Sequence, residues 1–185
     1  LAGSLSGVRL AVAFTPALAW DYFQQVAPPG TLLFAVEGAD IGECLAQTME
    51  FLFSAGYRQV IALNSDGPSL PREYLLRALR LLQAHDVVVG PGEDGGYYLI
   101  GLSQFHAEIF RQIPWSTADV LAHTLARAAA LSLDVALTPA WYDVDTAPEA
   151  ARLASDLDHI PPGQLTWTRK FFAANPFLAG KGHAR

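Results

Sequence analysis

Val60-Ile61-Ala62-Leu63-Asn64-Ser65-Asp66-Gly67-Pro68 is a short apolar run that empties into turn-forming residues. Four apolar residues without alternation suit a strand covered on both faces, the usual state in a parallel sheet. Asn, Ser, Asp, Gly and Pro in succession then require a loop. Upstream, residues 41–55 carry Ile41, Leu45, Thr48, Met49 and Leu52 at helical spacing, and Gly56 stops them. Downstream, residues 71–84 read as a second helix with Pro71 in its first turn and Leu75, Leu79 and Leu82 turned inward.

The same alternation continues outward. Residues 8–14 and 32–36 are strand candidates, separated by a short helix within 17–26 and by the breaker Pro28-Pro29-Gly30. Beyond the centre come a strand at 86–89, a glycine-rich loop at 90–96 and a strand at 97–102. A helical turn at 106–110 follows, then a helix at 117–131 capped by Ser116. Short extended pieces at 135–137 and 141–144 lead to a helix at 147–157, capped by Thr146 or Asp145, and to a terminal helix at 165–174. Strands alternating with helices predict right-handed crossovers and an α/β fold, a three-layer α/β/α sandwich with a mostly parallel sheet. One domain over 1–185 is expected, with its core at about 8–157 and a helical tail at 158–185.

The composition narrows the function classes. The chain has 185 residues, 51% hydrophobic and 16% charged, with a formal net charge of −6. That is enough length for one real core. There is no dense basic run, so a nucleic-acid backbone is not an expected partner. A single cysteine, Cys44, excludes an internal disulfide framework. No apolar run reaches membrane-spanning length, and the cytoplasm is the expected compartment. The motifs GxGxxG and GxxxxGK[ST] are absent, which argues against hydride transfer and P-loop chemistry.

Ligands of open parallel sheets gather at the carboxyl ends of the strands. Three acidic clusters fall there: Asn64-Ser65-Asp66, Glu93-Asp94-Gly95-Gly96 and Asp143-Val144-Asp145-Thr146. Asp66 has two readings, a cap for the following turn or helix, or a hard carboxylate for Mg²⁺ or Mn²⁺ on a phosphate ligand. If residues 141–145 are extended, the carboxylates of Asp143 and Asp145 point the same way and need a cation or a proton between them. Alternatively Asp143 faces the ligand while Asp145 caps a helix. Gly95 and Gly96 permit either a close backbone approach to a ligand or a plain tight turn. Tyr97 and Tyr98 face opposite sides of a strand, one in the core and the other free to line a pocket. Pro114-Trp115-Ser116-Thr117 opens a helix whose N-terminus favours an anion, or is an ordinary cap.

These blocks carry a resemblance. Residues 60–70, 85–91, 94–102, 113–117 and 143–146, in that order, resemble the DUF2064 family of bacterial proteins, described as glycosyltransferase-A-type transferases and often found beside radical-SAM genes. The resemblance implies a nucleotide-diphospho-sugar transferase (GT-A) fold, similar also to nucleotidyltransferases that build cofactor dinucleotides. It implies catalytic roles for Asp66 and Asp143 and a divalent metal, Mg²⁺ or Mn²⁺, on Asp66, Asp143 and Asp145. Nucleotide or substrate contacts are implied at Ser65, Asp94, Gly95, Gly96, Tyr97, Trp115, Ser116 and Thr117. The family has Cys at the position of Gly67 and Asp at that of Ser69. It also opens with a strand and a Lys-Thr-Arg loop that this chain is expected to lack, its first strand matching the family's second. The expected activity is a metal-dependent transfer from a nucleotide-activated donor to an unknown acceptor, glycosyltransferase-like. The alternatives are nucleotidyl transfer to a small phosphorylated acceptor, or a truncated or non-catalytic member. An exposed strand edge leads to the expectation of a homodimer.

Overall fold

The structure is a computed structural model that describes residue 5 and residues 7–179. Its strands are β1 (Ala11–Phe14), β2 (Leu32–Ala35), β3 (Val60–Leu63), β4 (Val87–Pro91), β5 (Tyr97–Leu102) and β6 (Val135–Leu137). Its α-helices are α1 (Trp20–Val26), α2 (Ile41–Ser54), α3 (Arg72–Leu81), α4 (Val120–Ala130), α5 (Ala147–Asp156) and α6 (Thr166–Ala174). Short 3₁₀ turns lie at Ala17–Ala19, Ala107–Phe110 and Pro176–Ala179.

The central sheet has the order β3-β5-β4-β6, and β1 and β2 form a separate parallel pair. β4 and β6 are parallel, and β5 runs antiparallel to both β3 and β4. Three of the four central strands therefore share one direction. β5 reverses it because only the short segment 92–96 joins it to β4. Such a link permits a hairpin and is too short for a parallel crossover. The register slips at Gly90/Pro91, where Tyr98 is the extra residue of a bulge.

Alternation along the strands builds two cores. Val60, Val87, Val89, Ile100 and Leu102 pack under Met49 and Leu52 of α2 and Ala128 of α4. Val88, Tyr98, Leu99 and Ala136 pack on the other face against Leu75 and Ala78 of α3 and Leu82. Helices thus cover both faces of the sheet, and the three-layer expectation is met. Ala11, Leu32 and Phe34 of the β1–β2 pair rest on the α2 side of the same core. A satellite cluster of Leu153, Leu157 and Phe172 ties α6 to α5.

Several boundaries differ from the sequence reading. The first strand begins at Ala11. The extended piece at 141–144 reduces to one bridge between Gly92 and Trp141. Helix α4 begins at Val120, with Asp119 and not Ser116 at its N-cap. Ser116 has φ +62, a left-handed conformation that turns the chain before the helix starts.

Candidate functional site

Three loops meet beyond the ends of β3 and β4. Asp66 follows β3, and its carbonyl accepts from Val144 N at 3.0 Å. Trp141 N donates to Pro91 O and Glu93 N to Trp141 O, each at 3.0 Å, so segment 141–144 is clipped to both neighbours. These backbone bonds take the place of the expected strand and set Asp143 beside the β3 loop. A side-chain carbon on Gly67 would lie 3.5 Å from Asp143 Oδ1.

Asp143 is the electrostatic centre of this junction. Asn64 Nδ2 donates to its Oδ1 at 2.9 Å. Its carboxyl is held above the ordinary range, first by burial, against the Asn64 bond, with the charges of Asp94, Asp66 and Asp145 adding to the rise. Three like charges thus act on one half-buried carboxyl, which favours a proton or a cation there. Asp66 is exposed, and among the described residues its side chain accepts only from Ser65 Oγ, at 3.3 Å. It does not cap α3, whose N-cap is Pro71 without a side-chain bond. Asp145 does not cap α5 either; Thr146 is the N-cap. Glu149 accepts from the backbone N–H of both Asp145 and Thr146 at 2.8 Å.

A cavity of about 490 Å³ opens beside Asp143. It falls within the range of small-molecule sites. Ile41 and Leu45 of α2, Leu63 of β3 and Ile100 of β5 give it an apolar floor, and Asn64, Asp94 and Asp143 a polar end. Tyr97 and Trp115 wall it, edge to face at 6.3 Å. Trp115 lies so close to α2 that a side-chain carbon on Gly42 would stand 2.3 Å from its Nε1. Tyr97 is the tyrosine on the cavity side. Among the described residues its buried hydroxyl has no well-formed hydrogen bond, nor has that of Thr124, and burial raises its pKa. Tyr98 is core: its hydroxyl meets Thr138 Oγ1 at 2.6 Å and Pro139 O at 3.0 Å.

Asp94, Gly96, Tyr97, Trp115, Ser116, Thr117 and Asp143 all line this cavity, whereas Ser65, Asp66, Gly95 and Asp145 do not. Gly95 has a structural explanation: φ +91, with a side-chain carbon that would fall 2.1 Å from Ala118 O. Asp94 Oδ1 accepts from Gly96 N at 2.9 Å, closing the turn. Ser69, which stands where the family has Asp, is buried and donates to Tyr142 Oη at 3.1 Å. Among the described residues, no group of three or more His, Cys, Asp or Glu is placed to hold a metal ion, so Asp66, Asp143 and Asp145 do not form a preformed three-ligand cage. No helix among the described residues is long and apolar enough to cross a membrane. The sequence reading missed Asn64 as a partner of Asp143 and Gly42 as the seat of Trp115. Asn64 was legible as a polar residue at a strand end, but Gly42 left no signal short of the tertiary contact.

Comparison with known proteins places this fold. No curated protein matches the chain. A crystal structure from Desulfovibrio desulfuricans G20, of a provisionally named nucleotide-diphospho-sugar transferase, superposes with a TM-score of 0.85 at 30% identity. The alignment covers 96% of this chain and 78% of that one. The model of the DUF2064 family, described as an uncharacterized protein conserved in bacteria, matches residues 2–117. More than half of the sequence is thereby accounted for, and the chain belongs to the DUF2064 family, with a fold of the nucleotide-diphospho-sugar transferase (GT-A) type.

Proposed function

We propose that this protein is a metal-dependent transferase that takes a group from a nucleotide-activated donor, in the manner of a glycosyltransferase. The observation that carries the reading is the acidic junction around Asp143 at the mouth of an aromatic-walled cavity. Tyr97 and Trp115 offer an aromatic wall to a nucleobase, and the Ser116 hydroxyl offers a hydrogen bond to a ribose or phosphate. Asn64 fixes the orientation of Asp143. The name of the Desulfovibrio protein points the same way.

A divalent cation suits the donor set. Mg²⁺ usually takes only one or two protein carboxylates and completes its shell with water and substrate phosphates. The lack of a three-carboxylate cage is therefore compatible with Mg²⁺ or Mn²⁺ held by Asp66 and Asp143, with Asp145 at the rim. When bound, such an ion screens the diphosphate and stabilises its charge as it leaves. In sugar transfer an acceptor oxygen bonds to the anomeric carbon as the carbon–oxygen bond to the diphosphate breaks, and the acceptor's proton passes to solvent. One observation favours a second reading, a member that binds a nucleotide without transferring from it: among the described residues, none that lines the cavity is basic.

Calorimetry with UDP, GDP, CDP and ADP, with and without Mn²⁺, tests the proposal. Binding should require Mn²⁺, because the net charge of −6 repels a bare diphosphate. Asp66→Ala should weaken the Mn²⁺-dependent binding by at least the roughly tenfold that even outer-shell changes cost metal sites. It should leave the thermal midpoint nearly unchanged, since the side chain is exposed. Metal-independent binding, or binding that Asp66→Ala does not alter, would overturn the metal assignment.

A further inference from the structure

Across the Asp66-Gly67-Pro68 turn lies a second cavity, of about 820 Å³. It is enclosed by the segment leading into α3, by Trp141, and by α5 with the connection from α5 to α6. The partition between the two cavities is thin. The side-chain direction of Gly67 comes within 3.5 Å of Asp143 Oδ1, which faces the first cavity, and within 3.8 Å of Trp141 Cδ1, which lines the second. Ligands in the two cavities would stand on either side of the acidic junction.

Two of the ionic groups of this cavity, Arg152 and Asp156, already have partners. Arg152 holds Glu93 through two bonds, at 2.6 and 3.1 Å, and its guanidinium lies 3.7 Å over the Tyr142 ring. The Tyr142 hydroxyl donates to Asp156 and accepts from the buried Ser69. Arg72 and Glu73, of opposite charge, are neighbours in sequence at the start of α3. A phosphorylated ligand would meet the carboxylates of Glu73 and Asp156, with the Arg152 guanidinium already matched by Glu93 and Arg72 set beside Glu73 in sequence. The rest of the wall is divided in character: Leu70, Trp141, Ile160 and Leu165 are apolar, whereas Asp156 and Gln164 can hydrogen-bond. A carbohydrate or polyol shows the same division, with C–H faces for an aromatic ring and hydroxyl edges for carboxylate and amide.

We propose that this second cavity binds an uncharged polyhydroxylated molecule, a sugar or polyol, as the acceptor of the transfer. Its role as acceptor rests on the transferase reading; the binding itself does not. Saturation-transfer NMR without nucleotide or metal separates the two. The probes are methyl glucoside, trehalose and glycerol, with glucose 6-phosphate as the charged counterpart. At least one uncharged probe should receive saturation from the wild-type protein, and glucose 6-phosphate should receive none. Gln164→Trp and His159→Trp, both at exposed rim positions, should each abolish the signal while circular dichroism shows a folded chain. Asp66→Ala should leave the signal intact, so failure of nucleotide binding would not be mistaken for failure here. Silence from every uncharged probe, preference for glucose 6-phosphate, or signals that survive both tryptophan substitutions would overturn the proposal.

Discussion

Gly95 is a residue whose identity the backbone dictates. Its φ of +91 is a region that L side chains rarely occupy, and an added carbon would fall 2.1 Å from Ala118 O. Gly95 O also accepts from Leu121 N at 2.9 Å, so the loop cannot withdraw without loosening the start of α4. Gly95→Ala should cost about 2 kcal/mol or more, the scale of left-handed strain combined with a steric clash. Urea denaturation would measure it, and a loss within about 0.5 kcal/mol, the range of ordinary surface substitutions, would mean that the loop relaxes freely. The tyrosines give a pH signature. Tyr97, Tyr98 and Tyr142 all have raised pKa values, chiefly through burial, and Tyr142 is pushed up to about 12, with the bond to Asp156 contributing. The folded chain therefore binds these protons more tightly than the unfolded chain, whose tyrosines titrate near 10.0. Their contribution to stability is intact below that value and is lost as pH climbs toward the folded values. Ultraviolet difference titration should find these three phenols still protonated past pH 10, with alkaline unfolding accompanying their ionisation. Ionisation of all the tyrosines in one step near 10 without unfolding would contradict the burial.

At the scale of elements, α5 depends on what precedes it. Thr146 is its N-cap, and Glu149 in its first turn gathers the backbone N–H groups of Asp145 and Thr146. Those two bonds, the Asp145 bond first, lower the Glu149 pKa from the ordinary 4.5. A depressed carboxyl contributes above the unfolded value and loses that contribution as pH falls through the folded one. Glu149→Ala should lower the thermal midpoint at neutral pH, and the deficit should close as the solution is acidified below about 4.5, the unfolded carboxyl value. A deficit that stays constant with pH would point to lost helix propensity or packing in place of the cap. The same helix start holds segment 141–145 against the β3 loop, so the effect should extend to nucleotide affinity. Helix α4 shows how a cap can be misread. Ser116 has the residue type and spacing of an N-cap, yet Thr117 Oγ1 donates to Pro114 O at 2.7 Å and accepts from Asp119 N at 3.3 Å, making a turn of its own before the helix.

At the scale of the whole molecule, the sheet is interrupted. β1 bonds to β2 and β3 bonds to β5, but β1 and β3 are not paired with each other. Among the described residues each has an edge without a paired strand, and Leu63 at the end of β3 is 37% exposed. Free, largely apolar edges invite pairing with another chain. We expect self-association at high concentration, weakened by Ala62→Lys on β3. Multi-angle light scattering across a dilution series would measure it, and a clean monomer throughout would count against it.

Local chemistry determined much of this protein. Four-residue apolar runs, helical spacing, Gly56 and the turn-forming residues after Leu63 were enough to set β3, α2 and the layered class, because a strand or amphipathic helix must bury its apolar side chains wherever it occurs. Periodicity also separated Tyr97 from Tyr98 by face, but could not say which was core. That depended on Thr138, Pro139 and the bulge at Tyr98, which are contacts across strands. The acidic residues were visible as three clusters at loop positions. Their meeting was decided by backbone bonds between loops distant in sequence, such as Val144 N to Asp66 O. The direction of β5, the seating of Trp115 on Gly42 and the second cavity behind Gly67 likewise belong to tertiary structure. Each depends on which segments become neighbours, and a pattern along one segment carries no record of the surface it will face.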